Sequence, residues 1–352
     1  MLDDLELISK IDKSKMLDAV ASFPEQIRET KNIVNSVLFD GFLKINNIVI
    51  SGMGASGISG DILQNLLKDR VDIPIFVNRQ YDLPKWVDKN TLLISQSYSG
   101  DTEETLSTFK SGSQKRCKII GISSGGKLQE YCEKRQIPHV KIPSGSPPRA
   151  ATGYILFSSI HALKKIGILK DDFEPEIEDA ASVVEEIRNR NKKDIPEKDN
   201  LSKQLARKIF NTIPQVYGFD FYAPIAKRWC TQFNENSKVI CRYDEVPECN
   251  HNDIVGWSMN PEVSKNFTCI MFRDSENESV FISKRLSFMK KLFEEVAKNV
   301  IEIQVQGKKR LAKMMYAMYI GDFTSCYLAI LRNIDPTPVD AITELKNELS
   351  RI

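Results

Sequence analysis

The sequence predicts an α/β protein with two doubly wound parallel-sheet domains and flanking helices. Short segments are apolar on both faces, which is typical of strands buried in a parallel sheet. A polar loop and then apolar residues at helical spacing follow most of them, and this alternation indicates βαβ units. The predicted strands lie at residues 47–50, 73–78, 91–95, 117–122 and 139–142 in the first half and at 215–219, 267–273 and 299–305 in the second.

The length of the chain predicts how these elements group. A chain of 352 residues is longer than one hydrophobic core usually supports, so we expect two domains of similar size. The charged stretch before residue 200 is typical of a solvated helix with a linker. The predicted divisions are a helical lead-in at 1–44, a first domain at 45–165, a helical linker at 166–200, a second domain at 201–335 and a C-terminal helix at 336–352.

Charge and composition exclude several classes of protein. The 49 Lys and Arg residues nearly balance the 47 Asp and Glu residues, so nothing favours general binding to nucleic acid or an anionic membrane. The N-terminus lacks the apolar core of a signal peptide, and no run of about 18 apolar residues predicts a transmembrane helix. Seven scattered cysteines without a C-x-x-C pair indicate reduced thiols. We therefore expect a cytoplasmic protein.

Two loops of small residues follow predicted strands and enter predicted helices. The residues of interest are Gly54, Ala55 and Ser56 in the first loop and Ser97, Ser99 and Thr102 in the second. Ligands bind at the carboxyl ends of parallel strands, where free N–H groups at a helix start attract anions. We therefore interpret both loops as a phosphate site. The alternative, that they are only tight turns and helix caps, stays open on this evidence.

The first loop also matches the dinucleotide fingerprint G-x-G-x-x-G, at Gly52, Gly54 and Gly57. An NAD site would need an acidic residue about 20 positions further on, to bind the ribose. The second predicted strand instead ends near Asn78 and Arg79. Because the hydroxyl-rich second loop has no role in a dinucleotide fold, we expect no cofactor. An NADP-dependent oxidoreductase is the rival hypothesis, and tight NADP binding would support it.

Three further side chains could carry chemistry. Arg149 follows two prolines where a helix is about to begin, and a guanidinium there could neutralise a developing oxyanion. Glu235 follows an amphipathic helix, whose dipole at that end favours a basic carboxylate. His251 lies in a polar segment and could act as an acid. Two of them also fit a structural interpretation: a surface ion pair for Arg149, and a solvated helix end for Glu235.

The remaining candidates have simpler interpretations. His161 lies in an apolar helical pattern and His139 in a strand, so we predict that both are packed residues. With three histidines and no H-x-H or H-x-x-x-H spacing, we predict no metal site. Thr337 precedes Pro338 and an acid, which predicts a helix N-cap. Lys346 by itself is typical of a solvated helix residue.

Taken together, these residues resemble those of the bifunctional phosphoglucose/phosphomannose isomerases. That family, known mostly from archaea, has two sugar-isomerase (SIS) domains and belongs to the phosphoglucose isomerase superfamily. The resemblance covers both predicted domains in order, and only about the first 40 residues lack a diagnostic segment. The segments that carry it are 51–61, 97–105, 148–151, 234–236, 245–252 and 335–339, together with the helix that contains Lys346.

The resemblance implies a role for each candidate. Glu235 would be the base that moves a proton between C1 and C2 through a cis-enediol, and Arg149 would stabilise the enediolate. His251 and Lys346 would assist ring opening, with His251 reaching in from the partner subunit of a homodimer. The sugar phosphate would be bound by Gly54, Ala55, Ser56, Ser97, Ser99 and Thr102.

Two positions depart from the family pattern. Ala55 stands where glycine is usual, and its methyl group narrows the approach of a phosphate to the backbone. Asp101 stands where asparagine is usual, and a carboxylate that pointed inward would repel a dianionic phosphate. We expect Asp101 to cap a helix and to face outward instead.

The resemblance thus implies a cytoplasmic, metal-independent aldose–ketose isomerase of glycolysis and gluconeogenesis. Its substrates would be glucose 6-phosphate, fructose 6-phosphate and mannose 6-phosphate, with no cofactor, nucleic acid or membrane partner. The alternative is a non-catalytic phosphosugar-binding or regulatory SIS protein. Such a protein would bind without turnover, and it would leave Glu235, Arg149 and His251 without roles.

Overall fold

A computed structural model of the chain describes residues 1–170 and 172–349. Its first sheet has five parallel strands, as the sequence predicts. These strands are β1 Asn47–Ser51, β2 Ile75–Asn78, β3 Thr91–Gln96, β4 Lys118–Ser123 and β5 His139–Lys141. They lie in the order β2-β1-β3-β4-β5. In sheets of this order the switch point lies between β1 and β3, where the chain leaves β1 on one side and returns on the other.

Both faces of the first sheet are covered. Along β1, Ile48 and Ile50 belong to the large core, whereas Val49 belongs to a separate cluster with Leu93 and Phe109. Successive strand residues point to opposite faces, so the two clusters lie on the two sides of the sheet. This explains why the strands are apolar at every position instead of at alternate ones.

The second sheet has four parallel strands, one more than the sequence predicts. They are β6 Ile213–Phe219, β7 Arg242–Val246, β8 Phe267–Arg273 and β9 Asn299–Gln304, in the order β7-β6-β8-β9. The unpredicted strand is β7. It lies at the edge of the sheet, where Arg242 and Glu245 are exposed, so it lacks an apolar pattern.

Fifteen α-helices accompany the sheets in the described residues, and the first three lie in the predicted lead-in, before β1. The first seven are α1 Leu5–Ile11, α2 Met16–Ala21, α3 Phe23–Asn35, α4 Gly54–Leu67, α5 Glu103–Gln114, α6 Gly126–Lys134 and α7 Thr152–Lys165. The next are α8 Glu174–Asn191, α9 Leu201–Ile209, α10 Ala223–Gln232, α11 Asp253–Met259, α12 Pro261–Ser264, α13 Val280–Val296, α14 Arg310–Leu331 and α15 Asp340–Leu349. The last three residues of the predicted C-terminal helix, 350–352, lie outside the described residues.

Helix α14 forms the centre of the molecule. It contacts α8, which lies in the predicted linker, and also α2, α9 and α10. By length and composition alone α14 could span a membrane, and among the described residues no other helix passes this test. Its apolar window is entirely buried inside the protein, and the helix contains the charged Lys313 and Asp322. These observations identify α14 as a core helix.

Both histidines that the sequence assigns to packed positions are packed. His139 lies on β5 with its Nε2 atom 2.8 Å from the Ser123 hydroxyl. His161 lies on α7 with 6% of its surface exposed, and its Nε2 atom has no hydrogen-bond partner. Burial disfavours the charged imidazole and lowers the pKa of each histidine to about 4.

We predict that His161 makes the protein sensitive to acid. An unfolded histidine takes up its proton near pH 6.5, whereas folded His161 does so near pH 4, so its stabilising effect is lost as pH falls between these values. The variant His161→Leu should therefore lose about 3 kcal/mol less unfolding free energy than the wild type between pH 7 and pH 4. Urea titrations at both pH values measure this difference.

The exposed Ser287 on α13 provides the control. Ser287→Leu introduces the same side chain without removing a titratable group, so it should follow the wild-type dependence of unfolding free energy on pH. If His161→Leu and the wild type lost stability in parallel, the assignment of acid sensitivity to His161 would be wrong.

Candidate active site

The first candidate phosphate loop lies at the carboxyl end of β1. Helix α4 begins there at Gly54, whose φ of +51° favours glycine. Met53, the N-cap residue, supplies no side-chain acceptor, and Ser56 is buried in the first turn. The N–H groups of this turn are therefore arranged as at the helix starts that bind anions in other proteins.

The second loop follows β3, the strand next to β1, so the two loops lie side by side at one edge of the sheet. The hydroxyl oxygens of Ser97 and Thr102 are 2.8 Å apart, and Ser97 also accepts a hydrogen bond from the Gly100 N–H at 3.1 Å. Gly100 has a φ of +79°, and a Cβ atom there would lie 1.8 Å from the Gly125 carbonyl oxygen. Ser99 is exposed. The loop is held in place by its own hydroxyls before any ligand binds.

Asp101, the departure from the family pattern, faces a different helix. Its carboxylate accepts a hydrogen bond from the Lys127 N–H at 3.0 Å, in the first turn of α6. A carboxylate at this position is stabilised by the α6 dipole. Asp101 therefore acts as a cap for α6, not for α5, which follows its own loop, and its side chain is exposed as expected.

Arg149 lies in the 3-10 turn Pro148–Ala150, which is in contact with α4. Only 5% of its surface is exposed. Its guanidinium donates to the Asn236 side chain at 2.5 Å and to the carbonyl oxygens of Pro336 at 2.7 Å and Thr337 at 2.9 Å. One guanidinium nitrogen lies 3.6 Å from the Glu235 carboxylate. Arg149 of the first domain thus meets Glu235 of the second.

Glu235 lies on a π-helical turn, Phe233–Ser237, that continues α10. Such turns are frequent at functional sites. Its neighbours fix the turn to α14: the Asn236 side chain donates to the Ser325 hydroxyl at 2.9 Å, and the Ser237 hydroxyl donates to the Ser325 carbonyl at 2.6 Å. The Glu235 side chain itself is 27% exposed. A half-buried carboxylate therefore stands beside a fixed cation and remains open to solvent.

A buried ion pair fixes the backbone of Arg149. Arg228 of α10 binds Asp322 of α14 through contacts of 2.9 and 3.1 Å, and a third donor of Arg228 binds the Arg149 carbonyl at 2.7 Å. Gln232 also donates to Asp322, at 2.9 Å. Sequence analysis missed Arg228, Asp322 and Asn236. The first two are 94 positions apart, and no local pattern joins them.

Glu235 and His251 lie on either side of β7 along the chain. Glu235 precedes β7, whereas His251 is exposed at the end of the 3-10 turn Glu248–His251 that follows it. The five residues of β7 span about 16 Å. The two residues therefore flank opposite ends of this edge strand.

The C-terminal segment contributes through its backbone. Thr337 does not cap a helix as predicted, because α15 begins at Asp340 and the Thr337 hydroxyl is buried without a hydrogen-bond partner. Its carbonyl instead accepts from Arg149. Lys346 lies on α15, which is exposed along its length. No group of three or more His, Cys, Asp or Glu side chains that could bind a metal occurs in residues 1–170 and 172–349.

Known proteins are similar to this chain in both sequence and fold. Residues 198–349 match the family described as bacterial phospho-glucose isomerase C-terminal SIS domain. A bifunctional phosphoglucose/phosphomannose isomerase from Caldicellulosiruptor bescii is 39% identical over 96% of this chain and 99% of its own. One of the same name from Aquifex aeolicus is 35% identical over 86% of this chain and 90% of its own.

A solved structure shows the same fold at lower sequence identity. Tagatose-6-phosphate ketose/aldose isomerase from Escherichia coli matches 92% of this chain and 94% of its own, with a TM-score of 0.70 and 16% identity. The predicted SIS-type architecture of two parallel-sheet domains is therefore confirmed.

We predict that Asp322 is needed to hold Arg228, and with it the Arg228 bond to the Arg149 carbonyl, in place. Asp322→Asn would leave the Arg228 guanidinium buried without its counter-charge, which typically costs about 3–5 kcal/mol. The unfolding free energy from urea titration should fall by that amount. The exposed pair Arg190–Glu186, with side chains 71% and 56% exposed, provides the control. Glu186→Gln should change stability by less than about 0.5 kcal/mol, and equal effects of the two variants would contradict the prediction.

Proposed function

Because the chain belongs to the bifunctional phosphoglucose/phosphomannose isomerase family, we propose that it interconverts glucose 6-phosphate, fructose 6-phosphate and mannose 6-phosphate. The observation that carries the proposal is the contact between Arg149 and Glu235, with a guanidinium nitrogen 3.6 Å from the carboxylate. An aldose–ketose isomerase needs a base beside a cation, and these two residues supply both.

In the proposed mechanism, Glu235 removes the proton from C2 of the open-chain aldose. The electrons of the broken C–H bond form the C1–C2 double bond of a cis-enediol, and negative charge develops on the oxygen at C1. Arg149 stabilises that charge, since a buried and fully oriented guanidinium needs no reorganisation as the charge appears. The proton of the C2 hydroxyl then moves to the oxygen at C1, the electrons of that O–H bond form the C2 carbonyl, and Glu235 returns its proton to C1, which gives the ketose. Return to either face of C2 would give the glucose or the mannose epimer.

The phosphate would be bound by the two loops at the β1 and β3 edge. Backbone N–H groups of Gly54, Ala55 and Ser56 would meet one side of the phosphate. Hydroxyls of Ser97, Ser99 and Thr102 would donate on the other. Two of these hydroxyls already lie 2.8 Å apart and would exchange their mutual bond for bonds to the ligand.

We propose that His251 and Lys346 open the sugar ring and that His251 comes from a second copy of this chain. Glu235 and His251 flank opposite ends of β7, whose five residues span about 16 Å, and this placement supports the proposal. Exposed apolar residues support a homodimer. They are Val255 and Met259, which follow His251 on α11, and Ile342, Leu345 and Leu349 on α15.

A non-catalytic phosphosugar-binding role is the alternative. It gives no reason for a half-exposed carboxylate beside a buried guanidinium, so we favour the enzyme. We also propose a cytoplasmic location in glycolysis and gluconeogenesis. All seven cysteines are free thiols in the described chain, and most are buried.

We predict that Glu235→Gln abolishes most of the isomerase activity. Loss of a general base typically lowers kcat by roughly 100- to 10,000-fold. A coupled assay with each of the three sugar phosphates measures the loss, with and without EDTA, which should have no effect. Glu130→Gln, which changes an exposed carboxylate on α6, is the control and should keep wild-type turnover. Near-normal turnover by folded Glu235→Gln would refute the mechanism.

We further predict that two inactive variants restore each other. Glu235→Gln and His251→Gln should each be impaired alone. When they are unfolded together and refolded, half of the dimers are mixed, and one site of each mixed dimer combines an intact Glu235 with an intact His251. Activity should recover to about a quarter of the wild type, as expected for a symmetric two-fold interface.

The mixing experiment also has a clear negative outcome. If both residues served one site from the same chain, every site in the mixture would carry one lesion. No recovery would then occur, and the proposed contribution of His251 from the partner would be wrong. The separately refolded variants provide the baseline.

A further inference from the structure

Lys238 follows the π-helical turn that carries Glu235. Its backbone lies in the left-handed region, with a φ of +52°, which is unfavourable for a residue with a side chain. Its ammonium lies within hydrogen-bond distance of four carbonyl oxygens: Glu235 at 2.8 Å, Asn236 at 3.3 Å, Asp335 at 3.2 Å and Pro336 at 2.8 Å. One side chain thus joins the turn of the base to the segment before α15.

The same two segments also bind Arg149. The Pro336 carbonyl accepts from both Arg149, at 2.7 Å, and Lys238, at 2.8 Å. Asn236 offers its side-chain oxygen to Arg149 and its carbonyl to Lys238. Arg149 and Lys238 therefore form two neighbouring links between the turn of the base and residues 335–337. The position of the Glu235 carboxylate relative to Arg149 depends on both links.

We propose that Lys238 is a positioning residue for the isomerase: it holds the Glu235 turn against residues 335–337 and so sets the contact between the Glu235 carboxylate and Arg149. This inference rests on the proposed function. Lys238 acts through backbone carbonyls, so it needs no contact with the substrate.

The charge of Lys238 matters to this role. Desolvation and the nearby Arg149 lower the pKa of Lys238 to about 8, while Asp335, Cys326 and Asp340 act in the opposite direction. The Glu235 carboxylate lies on the turn that precedes Lys238. As pH rises through about 8, Lys238 loses one of its three N–H donors and its charge. The link to the carbonyls weakens, and activity should fall in that range.

The first test compares pH profiles of kcat and KM with fructose 6-phosphate. Lys238→Met should lower kcat by about 10- to 100-fold at pH 7, because small displacements of a catalytic group are costly, and should change KM much less. Lys238→Arg keeps a permanent charge, so it should retain most of the activity and move the alkaline limb upward from pH 8. An unchanged kcat in Lys238→Met, or an unmoved limb in Lys238→Arg, would overturn the proposal.

Lys44 offers a matched control. It is an exposed lysine with a φ of +57°, close to that of Lys238. Lys44→Met makes the same chemical change at a similar backbone conformation and should leave kcat and the pH profile unchanged. A loss of activity in Lys44→Met equal to that in Lys238→Met would contradict a role specific to Lys238.

A second test is independent of turnover. A crystal structure of Lys238→Arg should retain the contact between Glu235 and Arg149, and one of Lys238→Met should show the carboxylate displaced from it. An undisturbed contact in Lys238→Met would overturn the positioning role, even if both variants were active. If the wild type turned over none of the three sugar phosphates, the proposed function would fail, and this structural comparison would still decide the role of Lys238.

Discussion

A buried guanidinium must give its donors to protein acceptors, because an unpaired charge in the interior is costly. Arg149 of the first domain is such a group, and its acceptors belong to Asn236, Pro336 and Thr337 of the second half. Its burial therefore requires three separate segments to meet: the turn after the first sheet, the turn that carries Glu235 and the stretch before α15. The candidate active site lies where these segments meet.

The place where these three segments meet is stabilised by helix packing more than by loops. Helix α10 carries the Glu235 turn, and it is fixed to α14 by the Arg228–Asp322 ion pair. Next to this pair, a Cβ atom on Gly321 would lie 2.3 Å from the Trp229 ring, so only glycine lets the two helices approach as they do. The Trp229 N–H also donates to the Ala317 carbonyl at 2.8 Å. A base supported in this way keeps its position with little freedom to adjust.

Much of the fold, but only part of the site, was predictable from the sequence. The strands β1, β3 and β8 are buried on both faces, so their composition alone indicated them, and the hydroxyl-rich loops stood out for the same local reason. Strand β7 was not predicted, because an edge strand needs few apolar residues. The partners of Arg149 were not predicted, because it contacts side-chain and carbonyl oxygens that lie 87 to 188 positions away in the sequence. Thr337 was misread, since local capping rules do not register the Arg149 bond to its carbonyl.

The position of Asp101 shows how a candidate phosphate loop can accommodate an acid. Charge repulsion depends on where a carboxylate points, and Asp101 points to the first turn of α6, where an N–H group and the helix dipole stabilise it. The close contact of Gly100 with Gly125 brings that turn within reach, since a side chain at position 100 would separate the two loops. The acid thus helps to fix the loop that presents Ser97 and Thr102. The α6 terminus stabilises its negative charge, so Asp101 is compatible with an anion at the starts of α4 and α5.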